Sequence, residues 1–166
     1  DVNEDEIKKS AEAADSWAEY AAQYGVELSY HIHTNLLVDT AEDWTLYMKH
    51  LEKAKLCIDV SHAQLWGYDA AQSLRDFKDQ LNYVHLQDWA DENVTRDEDG
   101  RFMPKWVSVG VGKALDFPDL AKVLEETGYD RWVTGCPGAP PYAGEDSVTE
   151  AKRSAAMYQY CRESGY

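Results

Sequence analysis

Four of the five histidines lie at the end of, or just beyond, a short apolar run that predicts a β-strand. They are His31, His33, His62 and His85. Two of these runs also carry an aspartate within three residues of the histidine, Asp59 and Asp88. Imidazole and carboxylate groups bind divalent ions, and α/β folds collect such groups at the carboxyl ends of their parallel strands. The pattern therefore indicates a metal-dependent active site.

The two Asp/His pairs also have a purely structural interpretation. Asp59 lies at the end of an apolar strand and His62 just beyond it, so both can turn toward ions such as Mn²⁺, Co²⁺ or Zn²⁺; alternatively, Asp59 caps a turn and His62 is a loop histidine. His85 follows a second strand, where Asp88 can orient it or a neighbouring group. The alternative for His85 is a buried structural histidine.

His31 and His33 are separated by one residue within the same predicted strand end. Because side chains alternate along a strand, the two imidazoles lie on the same side. Burying both under the outer helices is costly, so the inner side near the mouth of the site is favoured.

Composition excludes several classes of protein. The 166 residues include 31 Asp and Glu against 16 Lys and Arg, which gives a net charge of −15. Nucleic-acid binding depends on clustered positive charge, so we expect no nucleic-acid partner. No apolar run approaches the roughly 20 residues that a membrane helix needs, so we expect no membrane partner.

The cysteines indicate a reducing environment, and we expect a cytoplasmic protein. Cys57, Cys136 and Cys161 are odd in number and widely spaced, unlike a disulfide framework. The chain begins at Asp1 on a helix-like segment without an initiator Met. This start fits a fragment of something longer, although a processed end fits as well.

Hydrophobic spacing predicts helices that alternate with strands. Apolar positions recur at helical spacing, and Gly25, Thr40, Asp69 and Gly128 stand where helix caps are expected. The predicted helices span 4–24, 41–53, 70–79, 117–127 and 146–163, and the predicted strands span 26–31, 55–60, 81–86 and 131–135. Residues 88–112 form a polar segment too long for an ordinary connection, which is typical of a lid or binding loop. A turn rich in proline and glycine is predicted from Pro137 to Gly144.

Alternating helices and strands predict parallel β-structure with two possible architectures. One is an open, doubly wound sheet of four strands. The other is part of a parallel (β/α) barrel of the TIM type, whose usual size is roughly 250 residues. Because every strand end carries a candidate ligand, the barrel is favoured; an open sheet gathers such residues at one switch point.

Five segments together resemble the xylose isomerase-like TIM barrel superfamily of sugar phosphate isomerases and epimerases, which includes inosose dehydratases and endonuclease IV. They are 28–33 (LSYHIH), 57–62 (CIDVSH), 83–88 (YVHLQD), 109–117 (VGVGKALDF) and 128–133 (GYDRWV). Their order matches the C-terminal half of the family's fold. The resemblance therefore implies that residues 1–166 supply four βα units, strands five to eight, preceded by a helix.

The resemblance also implies roles for individual residues. Asp59, His85 and His31 are expected to hold a divalent ion (Mn, Co, Zn or Mg). His62 is expected to be a ligand or a substrate contact. His62 or His33 is expected to position the substrate as a catalytic residue. At the last strand the family usually carries a glutamate that serves as metal ligand and acid/base, and here Cys136 follows Gly135 instead. This change leaves the base unassigned and puts two-carboxylate chemistry in doubt.

Three functions remain open. The leading one is a metal-dependent isomerase or epimerase that acts on a sugar, sugar phosphate or polyol through a metal-stabilised enediolate. A dehydratase or lyase of a keto-sugar or keto-inositol uses the same chemistry. The third is a non-catalytic half-barrel that binds a sugar or a partner chain. Four barrel strands leave two unpaired edges, so we expect an N-terminal half-barrel or another subunit to complete the fold.

Overall fold

The computed structural model describes residues 4–90, 94–136 and 147–165, in which helices alternate with strands. The helices are α1 Glu4–Ala22, α2 Ala41–His50, α3 Val60–Leu65, α4 Ala70–Asp76, α5 Phe117–Glu126 and α6 Ser147–Glu163. The strands are β1 Ser29–His31, β2 Lys55–Asp59, β3 Leu81–Leu86, β4 Asp88–Trp89, β5 Trp106–Val107 and β6 Trp132–Gly135. The predicted turn from Pro137 to Gly144 lies outside the described residues.

The main sheet has the strand order β1-β2-β3-β6, and all neighbours are parallel. Each long strand thus pairs with the next long strand along the chain, as in a barrel, whereas a doubly wound sheet reverses its order at a switch point. An ion pair of 2.9 Å joins Glu27, before β1, to Arg131, before β6. This contact links the two outer strands, as curvature of the sheet requires. The architecture is therefore a partial (β/α) barrel, and the open sheet is not found.

The two faces of the sheet differ in character. One face is apolar and fully buried, and it carries Leu56, Ile58, Val84 and Leu86. These residues form one core with buried side chains of the helices, including Ile7, Trp44, Leu74 and Phe117. Because side chains alternate along each strand, the intervening residues, among them Cys57, Tyr83 and His85, lie on the opposite face. This second face is half-buried and largely polar.

Short polar side chains begin three of the helices, and two of them, Thr40 and Asp69, are the predicted caps. Thr40 accepts a hydrogen bond from the backbone N–H of Asp43, Asp69 accepts one from Gln72, and Asp116 accepts one from Asp119. Each bond satisfies a backbone donor that has no partner inside its helix.

Helix α2 ends at His50, earlier than the predicted position 53. The reason is the buried carboxylate of Asp15 in α1, which accepts the backbone N–H groups of Glu52, Lys53 and Ala54 at 2.7–2.8 Å. Because these three N–H groups donate to a side chain of another helix, they cannot continue the backbone hydrogen bonds of α2. Asp15 therefore sets the connection from α2 into β2.

Three strands are shorter than predicted, and β6, which begins at Trp132, loses only one residue. Strand β1 begins at Ser29 rather than at residue 26, where Val26 is exposed to solvent. Strand β2 ends at Asp59, because the Asp59 side chain caps a short helix, α3, that the sequence analysis did not predict. His62 consequently lies on a helix and not in a loop.

The long segment 88–112 is not wholly irregular. It contains an antiparallel pair, β4 with β5, and a further bridge between Arg96 and Phe102. Asp88 anchors its far end by accepting the backbone N–H groups of Gly110 and Gly112 at 3.1 and 2.9 Å. A side chain at Gly112 would collide with the Asp88 carboxylate.

All three cysteines are among the described residues, and each is a free thiol, as the sequence predicted. No helix in the described part of the chain is long and apolar enough to span a membrane.

Candidate metal centre at the strand ends

Asp59 occupies the carboxyl end of β2 and is almost completely buried, with 1% of its surface exposed. Its Oδ1 atom accepts hydrogen bonds from the backbone N–H and the hydroxyl of Ser61, at 3.0 and 2.5 Å. Both bonds fall on one oxygen, so they fix the orientation of the carboxylate. The second oxygen, Oδ2, is left to face other side chains.

Three imidazole nitrogens approach this second oxygen. Nδ1 of His85 lies 3.2 Å from Oδ2 of Asp59, Nε2 of His31 lies 3.8 Å away, and Nε2 of His62 lies 3.9 Å away. The ligand atoms of His31, Asp59 and His85 all lie within 4.8 Å of one another. Nitrogen and oxygen ligands 2.0–2.2 Å from a tetrahedral ion are separated by about 3.4 Å. The three residues therefore have a spacing that fits a divalent ion.

The sheet register brings these residues together. Asp59 is paired with His85 across β2 and β3, and His31 is paired with Cys57 across β1 and β2. The fully buried Ile32 separates His31 from His33, so both histidines lie on the face opposite to the apolar core.

The charges of the cluster follow from these contacts. Burial raises the pKa of Asp59, but the nearby imidazoles of His31 and His85 outweigh burial and hold that pKa well below its usual range. The hydrogen bond to Asp59, followed by the contact with Cys136, raises the pKa of His85 to about 10. Without an ion, Asp59 is therefore ionised and His85 is protonated at neutral pH. A metal would compete with that proton.

His62 is held as a neutral donor. It is 1% exposed, and burial lowers its pKa to about 4, although the nearby Asp59 opposes that shift. The backbone N–H of Thr34 donates to Nδ1 of His62 at 3.1 Å, and the Thr34 hydroxyl lies 2.9 Å from the same atom. Since Nδ1 accepts, the neutral ring carries its proton on Nε2, the atom that faces Asp59.

His33 has the opposite tautomer. Its Nδ1 lies 2.8 Å from the carbonyl oxygen of Thr34, and a carbonyl only accepts, so Nδ1 carries the proton. The neutral ring therefore keeps a lone pair on Nε2. His33 is exposed, and its ring packs on His62 with centroids 4.0 Å apart. This arrangement provides a solvent-accessible proton acceptor beside a buried donor.

Two tryptophans from the β4–β5 pair form an aromatic wall on this side. The Trp106 ring lies 5.2 Å from the His62 ring, and Trp89 lies 6.5 Å from Trp106. Trp106 was not predicted, because its approach depends on how a long segment folds back. Thr34 and Ser61 were also missed, although each is adjacent to a predicted histidine and has a side chain typical of local hydrogen bonding.

Asp88 does not orient His85, contrary to one expectation from the sequence. Its carboxylate instead accepts the backbone N–H groups of Trp89, Gly110 and Gly112. The group that hydrogen-bonds to His85 is Asp59, on the neighbouring strand. Asp88 therefore stabilises the long segment, and its contacts are with backbone.

A parallel sheet with histidines and a carboxylate gathered at its strand ends defines a protein of the (β/α)-barrel class. A family model described as xylose isomerase-like TIM barrel matches residues 1–160. The chain belongs to this family, as the sequence motifs predicted.

Relatives by sequence include two proteins named inosose dehydratase. The protein from Geobacillus kaustophilus is 28% identical over 124 residues, which are 70% of this chain and 40% of the relative. The protein from Clostridium perfringens is 28% identical over 141 residues, which are 80% of this chain and 47% of the relative. The chain thus spans about half the length of the curated relatives that it matches.

Solved structures show the same fold. A sugar phosphate isomerase/epimerase from Parabacteroides distasonis superposes with a TM-score of 0.63 at 19% identity, covering 95% of this chain and 53% of that protein. A D-psicose 3-epimerase from Clostridium cellulolyticum superposes with a TM-score of 0.68 at 16% identity, covering 96% and 56%. At such low identity these similarities establish the fold alone.

Proposed function

We propose that this chain carries the metal site of an enzyme that isomerises or epimerises a sugar, sugar phosphate or polyol. The observation that supports this proposal is the cluster of His31, Asp59 and His85, whose ligand atoms lie within 4.8 Å of one another. They would hold a divalent ion, which polarises a carbonyl oxygen and so makes the proton on the adjacent carbon easier to remove.

The surrounding side chains would handle the substrate and its proton. His33 would accept the proton at Nε2, because its Nδ1–H is committed to the Thr34 carbonyl. Imidazole is the side chain that most often serves as a general base in enzymes. His62 would donate a hydrogen bond from Nε2 to a substrate oxygen near Asp59. The Trp106 ring would cover the apolar edge of the substrate and exclude water.

A dehydratase acting on a keto-polyol is the second candidate. It is favoured by the sequence relatives that bear the name inosose dehydratase. The first step, removal of a proton beside a carbonyl, is common to both candidates. They differ in the second step, since a dehydratase expels a hydroxyl group from the next carbon and an epimerase returns the proton.

Metal binding is the first test. Calorimetric titration with Mn²⁺, Co²⁺ and Zn²⁺ should give one ion per chain, and Asp59→Asn should weaken binding tenfold or more, because the variant lacks the only carboxylate of the cluster. Asp79→Asn is the matched control, since it removes the same charge from an exposed side chain. Equal affinities of Asp59→Asn and wild type would place the metal elsewhere.

Proton transfer is the second test. The metal-loaded protein is incubated with ketoses and keto-polyols in D₂O, and deuterium at carbon is read by mass spectrometry. A product whose mass differs from that of the substrate only by the incorporated deuterium identifies an epimerase or isomerase. A product that has also lost the mass of water identifies a dehydratase. His33→Gln should abolish exchange while metal affinity stays unchanged. A metal-loaded chain that binds a sugar and exchanges no deuterium would be a non-catalytic sugar-binding module.

We further propose that four more βα units, on the same polypeptide or another subunit, complete the barrel. β1 and β6 are the outer strands of the described sheet, and Trp132 on β6 is 73% exposed. Unpaired edges of this kind are normally covered in natural domains. Sedimentation of residues 1–166 should show association, or thermal unfolding of the same residues should show poor stability. A monomer with cooperative thermal unfolding would exclude the need for a second half.

A further inference from the structure

The thiol of Cys136 is placed by the same ladder that places His85. The backbone N–H of Cys136 donates to the carbonyl oxygen of Leu86 at 2.7 Å, so the pairing of β3 with β6 continues past the end of the strand. Thr134 is paired with His85, and Cys136 is two residues further along. Its side chain therefore lies on the polar face with His85 and Asp59.

The sulfur lies beside the His85 ring, closer to Nε2 than to Nδ1, the nitrogen that faces Asp59. Sγ of Cys136 is 3.7 Å from Nδ1 of His85 and 3.0 Å from Nε2. A sulfur that accepted a hydrogen bond along the Nε2–H direction would lie much farther from Nδ1, because the two nitrogens point out of the ring in different directions. The thiol therefore flanks the imidazole and is not its axial hydrogen-bond acceptor.

The thiol lies near enough to His85 to share an ion with it once the Cys136 side chain rotates. With Zn–S near 2.3 Å and Zn–N near 2.0–2.1 Å, a tetrahedral site separates sulfur from nitrogen by about 3.6 Å. The observed distance from Sγ to Nδ1 is 3.7 Å, but the shorter distance to Nε2 places the sulfur on the side of the ring away from the Nδ1 lone pair. The sulfur stands outside the group of three residues whose ligand atoms all lie within 4.8 Å. A rotation about its Cα–Cβ bond is therefore needed to bring it inward when an ion binds.

We propose that Cys136 is the fourth ligand of this ion and that it makes the site prefer Zn²⁺ and Co²⁺ over Mn²⁺ and Mg²⁺. The inference rests on the metal centre of the proposed function. A soft thiolate selects zinc and similar ions, whereas magnesium and manganese prefer oxygen ligands. On binding, the thiol proton is released to solvent and a bond from sulfur to metal forms.

Cobalt spectroscopy tests the ligand directly. Co²⁺ bound to the wild-type chain should show a near-ultraviolet band from charge transfer between thiolate and metal. Cys136→Ser should lose this band and keep the visible bands of bound cobalt. Cys57→Ser is the control, because Cys57 lies on the same face but two residues before Asp59, about 7 Å deeper along β2.

The outcomes separate the two proposals. Bound cobalt without the thiolate band, or a band that persists in Cys136→Ser, overturns the role of Cys136 and leaves the metal centre standing. Absence of cobalt binding overturns the metal centre itself. Competition between Zn²⁺ and Mn²⁺ adds a second measurement: the preference for zinc should fall at least tenfold in Cys136→Glu, and an unchanged preference contradicts the proposal.

A measurement on the wild-type protein does not depend on whether the variants fold. Zn²⁺ should slow alkylation of Cys136 by iodoacetamide at least tenfold, as read by peptide mass, and should leave Cys161 in α6 unaffected. Equal rates at Cys136 with and without Zn²⁺, in a chain that binds Zn²⁺ by calorimetry, overturn the proposal.

Discussion

Two buried aspartates at opposite ends of the sheet have opposite surroundings. Asp15, near the amino end of β2, directs its carboxylate to three backbone N–H groups. Asp59, at the carboxyl end of the same strand, gives one oxygen to Ser61 and turns the other toward three histidines. A carboxylate satisfied by backbone holds the fold together, whereas one that faces titratable side chains is available to a ligand.

This comparison predicts the largest stability loss at Asp15. Asp15→Ala should lower the free energy of unfolding by about 3 kcal/mol, because three backbone donors lose a charged acceptor. Urea denaturation measures the change, and Glu12→Ala, on the exposed side of α1, serves as the control. Metal affinity should be unaltered. A loss no larger than that of the control would show that water replaces the carboxylate at no cost.

The next largest effect is the loss of stability at acidic pH that His62 causes. Its pKa in the folded protein is about 4, below the value near 6.5 of an unfolded histidine. The stability that the neutral His62 gives to the folded protein is therefore fully present above pH 6.5. It is lost as the pH falls toward 4, because over this range the unfolded chain binds the proton and the folded protein does not.

Between pH 7 and pH 5 the metal-free chain should lose about 2 kcal/mol of stability through His62. The measurement is urea denaturation at both pH values, compared with His62→Asn, whose amide oxygen keeps an acceptor for Thr34. The difference between the two losses isolates His62, because the other groups titrate in both proteins. Equal losses would contradict the neutral, buried state of this ring.

A smaller effect is expected at Ser61, which contacts Asp59 and is not one of the proposed metal ligands. Ser61→Ala removes the hydroxyl bond to Oδ1 and keeps the backbone bond. Loss of such an orienting contact typically weakens metal binding by 10–100-fold; we expect about tenfold, the low end, because one bond remains. Calorimetry measures the affinity, and Ser73→Ala, a buried serine in α4, is the control. Unchanged binding would mean that the backbone alone orients Asp59.

The smallest effect is expected at the exposed ion pair between Glu27 and Arg131. It lies at the same end of the sheet as Asp15 but in solvent, so Arg131→Ala should cost no more than about 1 kcal/mol. The cost should shrink as salt is added. A loss as large as that of Asp15→Ala would show that this pair clamps the curvature of the sheet.

Most of the fold was predictable because its signals are local. Residues 81–86 were predicted as a strand and form β3, and the caps at Thr40 and Asp69 stand as predicted. Helix α3 was missed, because Asp59 ends an apolar run that continues into Val60 without a break in hydrophobicity. The β4–β5 pair was missed because two-residue strands carry no periodic pattern.

The candidate site was predictable in its members and not in its chemistry. Histidines and an aspartate after apolar runs indicated where ligands would gather, and the structure brings His31, Asp59 and His85 together. Asp88 was assigned to the wrong partner, since the sequence does not reveal that Gly110 and Gly112 return to it. The role of the cluster in binding metal stays a prediction.

The sequence by itself determined the alternation of helices and strands, the family, and the shared face of His31 and His33, because these follow from spacing and from motifs within a few residues. The tertiary structure decided which oxygen of Asp59 is free, which nitrogen of His33 and His62 carries the proton, and that Cys136 lies beside His85. Proton positions depend on single hydrogen bonds. The contact between Cys136 and His85 joins residues 51 positions apart in the chain, and only the pairing of β3 with β6 brings them together.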